Sequence, residues 1–276
     1  MKKLLLAITL FTFGFTANAQ VKTPAASPAQ TIKQDFGLSY IELSYARPGM
    51  KGRKIFGDLV PFGKVWRTGA NAATTLTFGD DVIIGGKTIP AGKYGLLSIP
   101  DKQSWTLIIT KQTNVTSPAA YKQEEDVVRV TAKVNNAPMR AETFTMQFAN
   151  VKAESCELHI RWDNVGVALP IKTDIDGKIM ASIEESMRSE KPAYGTAAAY
   201  YLENGKDINK AIEWYNKAVE AQPNAFWLKH QLARAYAKAG KKSLAKEMAL
   251  KSIDQARAAK NEDYVQLNNK LLAELK

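Results

Sequence analysis

Between Ser44 and Phe78 the chain reads SYARPGMKGRKIFGDLVPFGKVWRTGANAATTLTF, and its best-equipped side chains are concentrated there. Arg47, Arg53 and Arg67 each carry a planar guanidinium fork that matches carboxylate or phosphate oxygens. Trp66 offers a flat face to a sugar ring or a stacked cation, and Asn71 both donates and accepts hydrogen bonds. Arg47, Lys51, Arg53, Lys54, Lys64 and Arg67 stand against a single acid, Asp58. Gly49, Gly52, Gly57, Gly63 and Gly69 mark backbone that turns tightly or is closely approached. This composition suits binding of an anionic or sugar-like ligand without bond-breaking chemistry. A structural alternative stands beside it: Trp66 fills a core while the arginines staple an irregular loop over a sheet. The residues alone leave both open.

Nucleophilic and metal chemistry are poorly served. The histidines are His159 and His230, no G-x-S-x-G elbow exists, and Cys156 is the only cysteine. Cys156 shares a strand face with Leu158, Ile160 and Trp162, which implies a buried, inert thiol and allows no internal disulfide. His159 falls on the opposite, polar face with Glu157 and Arg161. So few ligands give no zinc site, and neither a metal nor a cofactor is expected. Asp174-Ile175-Asp176-Gly177 resembles the middle of an EF-hand loop, but Lys172 and Ile183 occupy the positions where that frame needs acids. It reads instead as a turn and N-cap before a helix. A hydrolase or isomerase using Asp58, helped by Arg67 or Asn71, ranks last, because it needs Asp58 beside a concave pocket.

The elements that must hold these residues change character along the chain. From Thr31 to Lys172, Ile41, Leu43 and Tyr45 alternate with polar residues. So do Val128, Val130, Ala132 and Val134; Phe144, Met146 and Phe148; and Leu158, Ile160 and Trp162. Period-two patterns mean strands with one face on a core. Gly85-Gly86 signals a hairpin and Pro90-Ala91-Gly92 a tight turn. The expectation is an antiparallel β-sandwich, jelly-roll-like.

After Pro170 the period becomes helical. Ile179, Met180, Ile183 and Met187 lie on one face of a helix over 179–189. Beyond Ala193 the chain repeats at 34 residues: Ala198-Ala199 aligns with Leu232-Ala233, Leu202 with Tyr236, Ala211 with Ala245, Tyr215 with Ala249 and Ala218 with Ser252. That is the tetratricopeptide period. The resemblance covers about two units over 192–260, with 263–275 as a capping helix, and is partial: the opening aromatic is replaced by Gly195 and by Lys229. A plain α-hairpin bundle is the alternative. In tetratricopeptide proteins the first helix of each unit lines a groove, which places Tyr200, Asn204, Trp227, His230, Arg234 and Lys238 on a basic, aromatic surface. Such a surface suits an acidic peptide or a C-terminal carboxylate.

The glycine-arginine stretch, together with IGGKTIPAGKYGLLSIP (84–100) and SWTLII (104–109), resembles the bacterial exported-protein family known as domain of unknown function 2911. The resemblance covers most of 31–172 and implies no established activity or catalytic residues. Relatives commonly carry a glutamate where this chain has Ala72, and a tryptophan in the loop corresponding to 117–120. Both departures weaken an enzymatic reading.

Lys2 and Lys3, the apolar run Leu4 to Phe15 and Ala17-Asn18-Ala19 form a secretory signal, cleaved after Ala19. The apolar run is too short to span a bilayer, and no later one is longer. The expected address is the periplasm or beyond, with no nucleic-acid partner. Residues 20–172 hold 19 basic and 13 acidic side chains, a net of +6, of which Arg47 to Arg67 supply +5. The expected divisions are a signal at 1–19, a mobile leader at 20–30, the sandwich at 31–172, a linker and helix at 173–192, and helical hairpins at 193–276. The first-ranked function is an exported, non-enzymatic binding or scaffolding protein whose helices engage an envelope or periplasmic protein with an acidic segment. The second is a carbohydrate- or anion-binding module of the envelope.

Overall fold

The computed structural model describes residues 23–275, so the expected signal at 1–19 lies outside the described residues. The chain forms two compact units, the first closing at Asp174 and the second starting at Ile175.

The first unit is built of strands β1 (Ala29–Phe36), β2 (Ser39–Ala46), β3 (Thr75–Phe78), β4 (Val82–Ile84), β5 (Lys87–Ile89), β6 (Gly92–Ile99), β7 (Ser104–Thr110), β8 (Asp126–Lys133), β9 (Asn135–Ala149) and β10 (Ser155–Lys172). They pair antiparallel into a six-stranded sheet, ordered β1-β2-β3-β6-β7-β8, and a four-stranded sheet, ordered β5-β4-β10-β9. Ile41, Leu43 and Tyr45 of β2 meet Phe144, Met146, Leu158, Ile160 and Trp162 of the other sheet in one core. The alternating residues thus face each other across a sandwich.

Gly85 and Gly86 turn β4 into β5, both with positive φ (59° and 79°), the conformation a two-residue hairpin of this hand requires. Pro90 and Ala91 instead carry the chain from the small sheet into the large one, since β5 and β6 belong to different sheets. The expected leader is shorter than read: Ala29 and Gln30 already pair with Ala46 and Tyr45 in β1. Pro28 accepts from the Arg47 N–H at 2.9 Å. Pro and Ala in that stretch suggested mobility, but strand pairing with β2 outweighs composition.

The second unit contains α1 (Asp176–Met187), α2 (Tyr194–Glu203), α3 (Ile208–Ala221), α4 (Phe226–Lys238), α5 (Lys242–Ala258) and α6 (Glu262–Glu274). The Asp207 carboxylate caps α3 by accepting from the Asn209 and Lys210 N–H groups. Pro223 follows the end of α3, where it cannot continue the helix. Ile179, Met180, Ile183 and Met187 join one apolar cluster with residues of α2, α3 and α4, the face their spacing specified. Among positions 34 apart, Ala211 and Ala245 are both at 0%, and Ala198 and Leu232 are at 0% and 1%. The expected aspartate N-cap of α1 is absent. Ile175 occupies the cap position, and the Asp176 carboxylate instead accepts from the Tyr200 hydroxyl and the Lys206 ammonium.

Candidate functional site

The segment 47–71 holds one defined shape because strand backbone surrounds it. Phe144 N–H donates to Pro48 C=O and Met50 N–H to Glu142 C=O, which seats the segment against β9. Farther on, Trp66 and Ser98 exchange both backbone bonds (2.7 and 2.9 Å), fastening it to β6. Between these anchors Gly57 turns at φ +83°, and a Cβ there would lie 2.7 Å from the Phe62 ring. Thr68 is fully buried at φ +53°, a conformation a β-branched residue rarely adopts. Its hydroxyl holds the Ser98 hydroxyl at 2.9 Å, and its carbonyl accepts from the Thr74 hydroxyl at 2.8 Å.

Trp66 is set into the sandwich. Its ring stacks on Trp162 and meets Trp105, Phe144 and Phe56 edge-on. The indole N–H donates to the Gly69 carbonyl at 3.2 Å. The guanidinium forks go largely to backbone. Arg47 donates to the Phe144 carbonyl and the Thr145 hydroxyl (3.3 and 3.1 Å), and Arg53 to the Met50 and Gly49 carbonyls (2.9 and 2.7 Å). Arg67 donates through Nη1 to the Thr116 carbonyl, while its Nε is buried without a partner. Asn71 donates to the Ser27 carbonyl at 3.1 Å.

These contacts leave a cleft of about 340 Å³. Its walls bring together three of the five residues singled out, Arg53, Trp66 and Arg67, and exclude Arg47 and Asn71. Three further contributors were not among the candidates: Lys64, the Thr116–Pro118 loop and Trp162. Trp162, which alternation places in the core and which is buried there, also lines the cleft. Asp58 is exposed and does not line it, so the condition for an Asp58-centred hydrolase or isomerase is unmet. Among the described residues no carboxylate, imidazole or thiol lines the cleft, while three cations do.

Residues 27–171, more than half of the chain, match the model of the family described as "Protein of unknown function (DUF2911)". The chain belongs to this family. The cleft lies within the DUF2911 region, so the motif that carries the likeness also builds the concavity. No curated protein and no solved structure matches the chain.

Elsewhere in the DUF2911 unit the other chemical groups are committed. Burial pushes the Cys156 thiol up to about 11, with the neighbouring Glu157 charge adding to it, so the thiolate is scarce near neutrality. His159 holds Glu157 at 2.7 Å on the outer face, and that bond keeps the Glu157 carboxyl below its usual range. Among the described residues, no three His, Cys, Asp or Glu side chains cluster as metal ligands.

In the helical unit the expected groove does not present its candidates freely. His230 is a correction: it is 6% exposed, its Nδ1 lies 2.9 Å from Asn268 Oδ1 and its ring meets Tyr264, because α6 covers it. The Tyr200 hydroxyl donates to Asp176 and the Asn204 amide to the Tyr200 carbonyl. Arg234 pairs with Glu203 at 2.8 Å, and Lys238 donates to the Leu202 carbonyl at 2.7 Å. Asn204 and Lys238 stay exposed despite these bonds, and Trp227 is 43% exposed.

Proposed function

We propose that this chain is an exported, non-enzymatic binding protein whose DUF2911 unit takes an anionic ligand, carboxylate- or phosphate-bearing with an apolar or sugar body. One observation carries the reading: Arg53, Lys64 and Arg67 converge on a cleft lined by the Trp66 and Trp162 indoles, with no acid in its walls among the described residues. Cations unopposed by acids concentrate anions, and a partly apolar cleft strengthens each contact. Lys64 is exposed and makes no hydrogen bond or ion pair among the described residues, so its charge is available to a ligand. Calorimetric titration of the full chain with sugar phosphates, glycans and inorganic phosphate tests the idea. Lys64→Glu should weaken any ligand found by about tenfold, roughly 1.4 kcal/mol, with the unfolding midpoint unchanged. Equal binding by that variant counts against the cleft.

Export rests on Lys2, Lys3, the apolar run and Ala17-Asn18-Ala19. N-terminal sequencing of periplasmic protein should start at Gln20.

A second reading is favoured by the exposed Trp227: the helical unit is a pair of tetratricopeptide-like hairpins that engages a protein partner with an acidic segment. The Arg234–Glu203 pair is exposed on both sides, so exchanging Glu203 for a partner's carboxylate costs little. Capture of an envelope partner should fall in Arg234→Glu with Lys238→Glu; undiminished capture removes these cations from the reading.

A further inference from the structure

The donors around the cleft of the DUF2911 unit are arranged for one kind of anion. Arg53 spends Nε and Nη2 on the Met50 and Gly49 carbonyls (2.9 and 2.7 Å), which leaves Nη1 as its nitrogen without a partner. Arg67 spends Nη1 on the Thr116 carbonyl and has its Nε closed from solvent, which leaves Nη2. Backbone thus pins both guanidiniums, and neither presents the Nε–Nη2 edge that grips a planar carboxylate side-on. Lys64 adds an ammonium from a third point of the chain. Gly69 and Ala70 also line the cleft, and among the described residues neither N–H has an acceptor.

Groups of the opposite polarity are scarce. Among the described residues no Asp, Glu, Asn or Gln lines the cleft, and its side-chain oxygens are the hydroxyls of Ser27, Thr116 and Ser117. Both indole N–H groups are spent on carbonyls, that of Trp66 on Gly69 and that of Trp162 on Glu142. A sugar ring points hydroxyl donors in several directions and calls for amide or carboxylate acceptors, which these walls lack. What they offer beside the cations is apolar: Leu59, Pro61 and Pro118 line the cleft and are exposed, Leu59 to 44%.

We infer that the cleft takes a phosphate monoester in its dianionic form, carried on an apolar body, in preference to a carboxylate or a sugar phosphate. The inference rests on the anion reading of the cleft and narrows it. A dianion is drawn to the three wall cations about twice as strongly as a carboxylate at the same distance. Its three oxygens diverge, so they reach donors held apart on Arg53, Lys64 and Arg67. Leu59, Pro61 and Pro118 are then covered by the body of the ligand, which removes apolar surface from water.

The experiment titrates the full chain calorimetrically with phenyl phosphate, inorganic phosphate, glucose 6-phosphate and benzoate. Phenyl phosphate should bind tightest, about tenfold ahead of benzoate and severalfold ahead of the other two. Its affinity should rise between about pH 5 and about pH 7.5, as its second proton leaves near pH 6, while that of benzoate stays level. The charged groups in the walls are Arg53, Lys64 and Arg67, with no imidazole among the described residues there, so the titrating group is the ligand's. Leu59→Ser, at an exposed position, should cut the advantage of phenyl phosphate over inorganic phosphate severalfold. Failure of all four to bind overturns the anion reading itself. Benzoate binding as tightly as phenyl phosphate, or a level phenyl phosphate affinity across that pH range, overturns the phosphate assignment and leaves the anion reading standing. Glucose 6-phosphate binding as tightly, or an undiminished advantage in Leu59→Ser, overturns the apolar body. Phenyl phosphate binding unweakened in Lys64→Glu overturns the site.

Discussion

The indole of Trp66 lies nearly parallel to that of Trp162, centroids 6.0 Å apart and planes 16° from parallel. One residue comes from the irregular cationic segment and the other from the centre of β10, so this contact ties the segment to the sandwich. Trp66→Ala removes the stack and the edge contacts to Trp105 and Phe144 together. Large-to-small changes of this kind cost about 3–5 kcal/mol. Urea unfolding should show that loss at an unchanged slope. A cost below about 1 kcal/mol would mean the indole is a surface feature. Lost ligand binding in Trp66→Ala is therefore no evidence for a binding role, whereas loss in Lys64→Glu is.

Arg67 joins two parts of the cleft wall, since its Nη1 holds the Thr116 carbonyl from a different loop. Arg67→Met should free that loop. Hydrogen exchange should accelerate over 111–121, while strands β2 and β10 keep their protection. The stability cost should be about 1.5–3 kcal/mol, the usual worth of a charged donor. Unaltered exchange in the loop would show that Arg67 serves the ligand alone.

Gly69 accepts the Trp66 indole N–H and turns at φ +154°. A Cβ there would lie 3.0 Å from the Thr74 hydroxyl and 3.2 Å from the Ala46 carbonyl, and the latter is backbone that cannot swing aside. Gly69→Ala should destabilise by about 1–3 kcal/mol and distort the cleft with it. Near-neutral stability in thermal unfolding would show that the segment adjusts freely.

How far residues alone disclose this architecture depends on how locally each feature is encoded. Burial of Ile41, Leu43 and Tyr45, or of Leu158, Ile160 and Trp162, follows from period two, because a strand's faces alternate by covalent geometry. The α1 face follows from helical spacing in the same way. Consumption of the arginines had no such signal. The acceptor for Arg47 is the carbonyl of Phe144, 97 positions away, and a carbonyl belongs to every residue type. Lys64 carries no signal for a related reason: its place at the cleft depends on the path between the anchors at Pro48 and Trp66, which no periodicity describes. The 34-residue spacing puts His230 on the first helix of a unit and hence in a groove, but that spacing is silent about α6 folding over it.

Buried beneath α6, His230 makes stability depend on acidity. Desolvation holds its pKa below the ordinary 6.5, the Asn268 hydrogen bond works against that shift, and Arg234 adds to it. The imidazole is therefore neutral in the folded chain at a pH where the unfolded chain has begun to protonate it. Protons bind the unfolded state preferentially between the folded pKa and 6.5, so stability is full above 6.5 and falls as pH drops through it. The carboxyls held low by their partners, Glu157, Asp176 and Glu213, act in a more acidic range, because their ordinary values are 4.5, 3.8 and 4.5. Urea unfolding followed by far-ultraviolet circular dichroism at about pH 8 and about pH 5 separates the two ranges. The midpoint should be lower at the acidic value, and His230→Gln, which keeps a polar group beside Asn268 but cannot charge, should flatten that difference. An equally steep loss in His230→Gln would assign the acid sensitivity to other groups.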